Sequence, residues 1–309
     1  LRLHARADRV HATLLQVDGQ WEQAAKIYRQ TAADKQRTPA MRIQSVLNAL
    51  RLYQRAGKLG LAREILREVV ADSSLKGLHA TSYCLQGELE LASGGNAAVA
   101  QELFYRAISI SFSDSLSARA QFGVGRCLMA SGDPSGAHEA FFKVLEYGGT
   151  SNWVARVRYT DALSLLADGK LEEAGRALIQ IGAGVQPELR DAARFLQLKS
   201  AAAQNDAPQT RILLEQARSV NSSLLSYSLL AAAQMQAAQD NGNEASQLLI
   251  EFRQQNPGAQ LLAAAELENI RLTAAEGRWT ETVALYNKWL GDYPNNALAR
   301  AVKLDRAWA

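Results

Sequence analysis

Apolar residues recur along the chain with the spacing of amphipathic α-helices, and pairs of helix-breaking residues interrupt these stretches at regular intervals. Counted between the second members of successive pairs, starting with Gly19 to Gly57, the steps are 38, 38, 37, 37, 36, 35 and 37 residues. Such regularity indicates an internal repeat, each unit consisting of a helix, a tight turn and a second helix. The pairs are Asp18-Gly19, Ala56-Gly57, Gly94-Gly95, Ser131-Gly132, Asp168-Gly169, Gln204-Asn205, Gln239-Asp240 and Glu276-Gly277.

The residues after each turn also repeat. A small residue stands five positions after every turn and a large apolar or aromatic residue stands nine positions after it. Residues four apart share one helical face, so the small side chain lets a neighbouring helix approach while the large one fills the space beside it. The small residues are Ala24, Ala62, Ala100, Ala137, Ala174, Thr210, Ala245 and Thr282, and the large ones are Tyr28, Leu66, Phe104, Phe141, Leu178, Leu214, Leu249 and Tyr286.

With Pro257 and Pro294 seventeen positions after their turns, this pattern resembles the tetratricopeptide repeat family. The resemblance implies an all-α protein: a right-handed α-solenoid of about eight helix-turn-helix repeats with a period of 35–38. It implies a single superhelical domain over residues 1–309, with repeat turns near 19, 57, 95, 132, 169, 205, 240 and 277 and a C-terminal capping helix over 297–309.

Two departures from the family pattern stand out. The period exceeds the family's usual length of about 34 residues. The family's small residue seven positions before the turn is replaced, on this register, by Leu50, Glu88, Leu198 and Ile270. We expect the units with these replacements to pack less regularly.

Composition and charge narrow the class of protein. The chain of 309 residues is 48% hydrophobic and 21% charged, which excludes a disordered chain. Its 34 basic and 31 acidic residues leave a net charge of +3, which argues against nucleic acid as the partner. No run of 18 apolar residues predicts a membrane span in this segment.

The Ala- and Gln-rich composition and the start at Leu1 favour a bacterial protein. We expect it in the cytoplasm or in the periplasm and cell envelope, where a missing upstream segment would anchor it.

The resemblance also implies a concave binding surface formed by residues thirteen, ten, six, three and two positions before each turn, which we call the groove positions. With Gly95 as the third turn they carry no Asp or Glu; with Gly94 instead, Glu88 joins them. The competing interpretation is a solvated basic helical face with its aromatics partly in the core. The groove positions carry Arg6, Arg9, Arg51, Arg55, Arg119, Arg126, Arg156, Lys199 and Arg271, with Phe122, Tyr159, Phe195 and Tyr227 in the middle units.

We therefore predict a non-enzymatic protein–protein interaction scaffold that binds a partner peptide or helix of acidic and hydrophobic character. One alternative is an RNA-binding helical-repeat protein. A second is an oligomerisation or assembly module of a larger envelope-associated complex, with Trp279, Trp289 and Trp308 exposed. The predicted partner-binding residues are Arg51, Arg55, Arg119, Phe122, Arg126, Arg156, Tyr159, Phe195, Lys199, Tyr227 and Arg271.

No catalytic, cofactor or metal site is predicted. The four histidines are scattered, and the chain has neither an HExxH motif nor a phosphate-binding loop. Cys84 and Cys127 lie eleven and five residues before their turns, an offset of about 9 Å along parallel helices at about 1.5 Å per residue. A disulfide needs Cα atoms closer than about 7 Å, so we predict free thiols.

Overall fold

The computed structural model describes residues 2–182, 184–255 and 257–309; within these ranges the side chains of residues 2–7, 9, 259 and 260 are not described. The described residues form α-helices and one short 3₁₀ helix, Ser73–Leu78, with no β-strand among them. The predicted all-α helical-repeat fold is confirmed. The helices are α1 Arg2–Val17, α2 Trp21–Ala33, α3 Pro39–Arg55, α4 Leu59–Ala71, α5 His79–Ala92, α6 Ala97–Ile110, α7 Asp114–Ala130, α8 Pro134–Glu146, α9 Ser151–Ala167, α10 Leu171–Ile179, α11 Pro187–Ala203, α12 Ala207–Ser219, α13 Leu225–Ala238, α14 Gly242–Gln254, α15 Ala259–Ala275, α16 Trp279–Asp292 and α17 Ala299–Trp308.

In the described part of the chain, consecutive helices pair into eight hairpins, from hairpin 1 (α1 and α2) to hairpin 8 (α15 and α16). Two residues after the end of each first helix stands a residue with a positive φ, the conformation that caps a helix and reverses the chain. In hairpin 1 the N–H of Gly19 donates to the carbonyl of Gln16, and that of Gln20 donates to the carbonyl of Leu15. The same pair of bonds recurs in the other turns. The capping residues are Gly19, Gly57, Gly94, Gly132, Gly169, Asn205, Asp240 and Gly277.

The third turn contains one more residue than the others. Its left-handed residue is Gly94, with φ 67°, and Gly95 donates to the carbonyl of Glu90 as Gln20 does in hairpin 1. Helix α6 then begins three residues after Gly94 instead of two. The register counted back from Gly95 is therefore wrong for α5. Gly87, not Glu88, stands seven positions before this turn, so the family's small residue is present there.

The hairpins form two compact units, one ending at Gly149 and the other spanning Thr150–Ala309. Within each unit the second helix of a hairpin packs on the first helix of the next, as α2 does on α3 and α12 on α13. The eight small residues after the turns are all buried, and so are seven of the eight large ones; Tyr28 is half-buried. At the end of the second unit, α17 packs on α16.

The ring of Phe104 shows how close the helices come. Phe104 is completely buried on α6, between Gly87 of its own hairpin and Gly123 of the next. A Cβ atom built on Gly87 would lie 2.9 Å from this ring, and one built on Gly123 would lie closer still. Both glycines therefore provide the space that the ring occupies.

Cys84 and Cys127 are fully buried free thiols in one apolar cluster of the first unit. Burial raises the pKa of the Cys84 thiol to about 12, with the nearby Glu88 carboxylate adding to the shift. Burial likewise raises the pKa of Cys127 to about 11. Both thiols are therefore protonated at neutral pH.

We predict that Gly123→Ala destabilises the first unit by about 1–3 kcal/mol, because its methyl group overpacks against the buried Phe104 ring. The matched control is Gly60→Ala on α4, where a Cβ meets no atom within 4 Å. We expect this control to preserve or raise stability. Chemical denaturation measures both, and equal midpoints for the two variants would contradict the packing argument.

We further predict that neither cysteine reacts readily with a thiol-specific disulfide reagent at pH 8 in the native protein. Because the thiolate is the reactive species, the raised pKa values and the burial should slow the reaction at least about 100-fold relative to the unfolded chain. Comparing rates with and without denaturant tests this. Rapid native labelling of either residue would show that it is accessible and ionised.

Candidate functional site

The predicted partner-binding residues lie on the first helices of their hairpins. In the first unit α3 carries Arg51 and Arg55, and α7 carries the other three. In the second unit they are distributed over α9, α11, α13 and α15. The basic side chains are exposed and the aromatic ones half-buried, except for the exposed Tyr227. Arg6 and Arg9 belong to α1, and their side chains lie outside the described residues.

Neighbouring first helices bring groove positions of successive hairpins into contact. In the first unit Arg119 of α7 reaches Glu88 of α5. In the second unit the rings of Phe195 on α11 and Tyr227 on α13 meet edge to face, with centroids 5.8 Å apart. Groove positions on adjacent helices are thus neighbours within each unit.

Arg119 is neutralised by its own chain. Its Nε donates to Oε1 of Glu88 at 2.6 Å, and its Nη2 donates to Oε2 at 2.6 Å. These hydrogen bonds raise the pKa of the Arg119 guanidinium. The expectation that no acidic residue occupies a groove position is wrong, because the extra residue in the third turn places Glu88 six positions before Gly94.

Two further basic side chains have partners within the chain. The guanidinium carbon of Arg55 lies 3.9 Å from the ring centroid of Trp21, a cation–π contact between hairpins 2 and 1. Nη1 of Arg271 lies 3.4 Å from Oε2 of Glu268 on the same helix. The side chains of the other basic residues described at groove positions form no hydrogen bond or ion pair within the described part of the chain; these residues are Arg51, Arg126, Arg156 and Lys199.

Three of these four cations stand beside an aromatic ring on the same helical face. Phe122 precedes Arg126 by four residues and packs against Phe141, with ring centroids 5.4 Å apart. Phe195 likewise precedes Lys199 by four residues. Each arrangement puts an available positive charge next to a partly exposed apolar surface.

The third such pair is Arg156 and Tyr159 on α9, three residues apart. Tyr159 packs against the core of the second unit, and burial raises the pKa of its hydroxyl. The hydroxyl is therefore neutral at physiological pH, and the ring provides an apolar surface with one hydrogen-bonding group.

A hollow of 360 Å³ lies between α13 and α15 in the second unit. Most of its lining residues are groove positions of hairpins 7 and 8, which shows that these positions border a depression there. The lining residues are Gln234, Ala237, Ala238, Glu268, Arg271, Leu272 and Ala275.

Two acidic residues lie near the predicted cations. Sequence reasoning placed Glu88 at a groove position only for the register with Gly94 as the third turn, and the structure adopts that register. Glu268 had no such signal: it lies three residues before Arg271, at a position that the resemblance does not assign to the groove.

The assembly alternative expected Trp279, Trp289 and Trp308 to be exposed, and this expectation is wrong for Trp289. It is buried, and its indole Nε1 donates to the carbonyl of Ala263 at 2.8 Å, so it belongs to the core of the second unit. Trp279 and Trp308 are exposed.

The described residues meet the requirements of neither a metal site nor a membrane-spanning helix. Among the described residues, no three His, Cys, Asp or Glu side chains come together as metal ligands. Within the same residues, no helix combines the length and apolar character needed to cross a bilayer.

No protein-family model and no curated protein sequence matches the chain. Solved structures do match. The apo form of RapI is 13% identical, with a TM-score of 0.64 over 96% of this chain and 95% of that one. A tetratricopeptide repeat protein from Parabacteroides merdae is 10% identical, with a TM-score of 0.60 over 86% and 98%.

A third similar structure is the C-terminal part of a TPR repeat-containing protein from Cytophaga hutchinsonii, 14% identical, with a TM-score of 0.51 over 94% of this chain and 98% of that one. This chain has the tetratricopeptide-repeat fold. In this fold the eight capped hairpins are the repeats, and their first helices carry the groove positions described above.

We predict that Arg119→Glu lowers the free energy of unfolding by about 1 kcal/mol. The substitution replaces a partly exposed ion pair, joined by two hydrogen bonds, with two carboxylates that repel each other. Exchanging both residues, Glu88→Arg with Arg119→Glu, should recover at least half of the loss. Thermal denaturation of the single, double and wild-type proteins provides the test. If the two substitutions add without recovery, the pair contributes nothing.

Proposed function

We propose that this chain is a non-enzymatic protein–protein interaction scaffold that holds a peptide or helical segment of a partner against its groove positions. The observation that carries the proposal is the set of four exposed cations without intrachain partners, three of them beside aromatic rings. Neighbouring first helices bring groove positions together within each unit, so one segment is able to contact several of them.

The chemistry of these positions favours a segment with both acidic and hydrophobic residues. An Arg guanidinium binds a carboxylate through two parallel hydrogen bonds, and a half-buried ring accepts an apolar side chain with little further loss of conformational freedom. At Arg51, Arg126, Arg156 and Lys199 no internal carboxylate competes with the ligand. At Arg119 a ligand would have to displace Glu88, so we assign Arg119 a smaller role.

The fixed position of the first helices and the pairing of charges both support a scaffold that binds protein. The backbone caps and buried cores hold each first helix in place before a partner arrives, so binding needs little ordering of the protein. The seven described cations at groove positions include three that are engaged within the chain, and the net charge is only +3. This gives RNA binding, which depends on phosphate neutralisation, less support than protein binding.

The proposal is tested with a displayed library of 15-residue peptides in which Asp and Glu are mixed with Leu, Phe and Trp. The selected peptides are then titrated by fluorescence anisotropy against the wild type and two charge reversals, Arg51→Glu/Arg126→Glu in the first unit and Arg156→Glu/Lys199→Glu in the second. We expect at least one reversal to weaken binding tenfold or more, which is about 1.4 kcal/mol.

The matched control is Arg67→Glu/Arg253→Glu, which reverses two exposed arginines on the second helices α4 and α14. The control should bind like the wild type. Equal losses in the control and the groove variants would show general charge attraction, and full affinity in both groove variants would place binding elsewhere. A titration with poly(U) at two salt concentrations completes the test; tight, salt-sensitive binding that competes with the peptides would favour the RNA alternative.

A further inference from the structure

The hollow between α13 and α15 has a carboxylate in its lining. Glu268 is only 7% exposed, although carboxylates are seldom buried without strong partners. Within the described residues its one hydrogen-bonding partner is Nη1 of Arg271, at the long distance of 3.4 Å. An ionised carboxylate accepts about four hydrogen bonds, so Glu268 has acceptor capacity that the chain leaves unused.

Arg271 is a weak competitor for this carboxylate. Its side chain is 57% exposed and touches Glu268 through one nitrogen only. The contact between Arg119 and Glu88 is a stronger arrangement, because there two guanidinium nitrogens donate to the two carboxylate oxygens at 2.6 Å. An incoming cation with better geometry is therefore able to take the place of Arg271 on Glu268.

The remaining lining suits the stem of a long basic side chain. Ala237, Ala238 and Ala275 leave space because their side chains are small, and Leu272 adds an apolar wall. The volume of 360 Å³ lies in the lower part of the range of about 300–1,000 Å³ for ligand sites. Gln234 provides an amide at the rim that both donates and accepts.

We propose that this hollow is a subsite for a guanidinium or ammonium side chain, with Glu268 as its anionic partner. The inference rests on the proposed function, since it assigns this subsite to the partner segment. A partner would then present acidic residues to Arg156 and Lys199, the free cations of the second unit, and one Arg or Lys to hairpins 7 and 8. That single position would set the register of the bound segment.

The subsite is tested without any partner by NMR on protein with ¹³C-labelled alanine methyl groups. Ethylguanidinium is the probe, and ethylurea is its uncharged counterpart of similar shape. We expect saturable shifts of the Ala237, Ala238 and Ala275 methyl signals with ethylguanidinium and none with ethylurea. Equal responses to the two compounds, or no response to ethylguanidinium, would overturn the proposal.

Variants test the assigned role of Glu268. Glu268→Gln keeps the shape of the side chain and should weaken ethylguanidinium binding at least tenfold. Glu276→Gln removes the same charge from the cap of the same helix, outside the hollow, and should bind like the wild type. Unchanged ethylguanidinium binding in Glu268→Gln would show that Glu268 is not the anionic partner.

Arg271→Gln should change the affinity for ethylguanidinium in the opposite direction from Glu268→Gln. Removing the competing guanidinium should tighten ethylguanidinium binding at least threefold, which a merely structural role of Glu268 does not predict. Weaker or unchanged binding would contradict the competition. This variant also keeps the test decisive if Glu268→Gln fails to fold.

The outcome is separable from that of the peptide experiment. If acidic peptides bind but ethylguanidinium does not, only the proposed subsite is refuted. Ethylguanidinium binding without peptide binding would leave the subsite in place and remove the wider groove function.

Discussion

The close approach of helices at small residues is the constraint on which the rest of the structure depends. The Ala or Thr that stands five positions after each turn is buried, and a large side chain one helical turn later fills the neighbouring space. Phe104 between Gly87 and Gly123 is the tightest case, because a single methyl group on either glycine would occupy the volume of the ring. The left-handed caps make this packing possible, since they reverse the chain within two or three residues and bring the second helix back against the first.

This packing determines which charges remain available to a partner. The first helices of successive hairpins lie close enough for side chains on one to reach the next, and this proximity has two effects. It joins Phe195 to Tyr227 and so builds a larger apolar surface. It also joins Arg119 to Glu88, so that this cation is already neutralised within the chain. Among the described residues, Arg51, Arg126, Arg156 and Lys199 remain free, because neither their own helix nor an adjacent one supplies a partner for their side chains.

The groove positions and the hollow beside them are thus mixed in charge. Free Arg and Lys side chains favour carboxylates of the partner, whereas Glu268 in its hollow favours a cation. A mixed pattern discriminates better between partners than a uniformly basic surface, because a segment in the wrong register sets like charges against each other. The near-neutral net charge of the chain is consistent with such local pairing, and the partly exposed rings beside the charged groups provide apolar contact area.

Much of the fold was determined by the sequence alone, because period, turn residues and the small-to-large spacing are local properties of the chain. These predicted the eight hairpins and the helical face that carries Arg126, Arg156 and Lys199. The tertiary structure alone decided three other features. It selected Gly94 over Gly95 as the left-handed residue, since two adjacent glycines have equal freedom and only the hydrogen bonds to the preceding helix distinguish them. It paired Arg119 with a carboxylate 31 residues away, and it buried Glu268 beside a hollow that exists only where α13 and α15 meet. Contacts between residues far apart in sequence depend on how helices pack, and no local pattern encodes them.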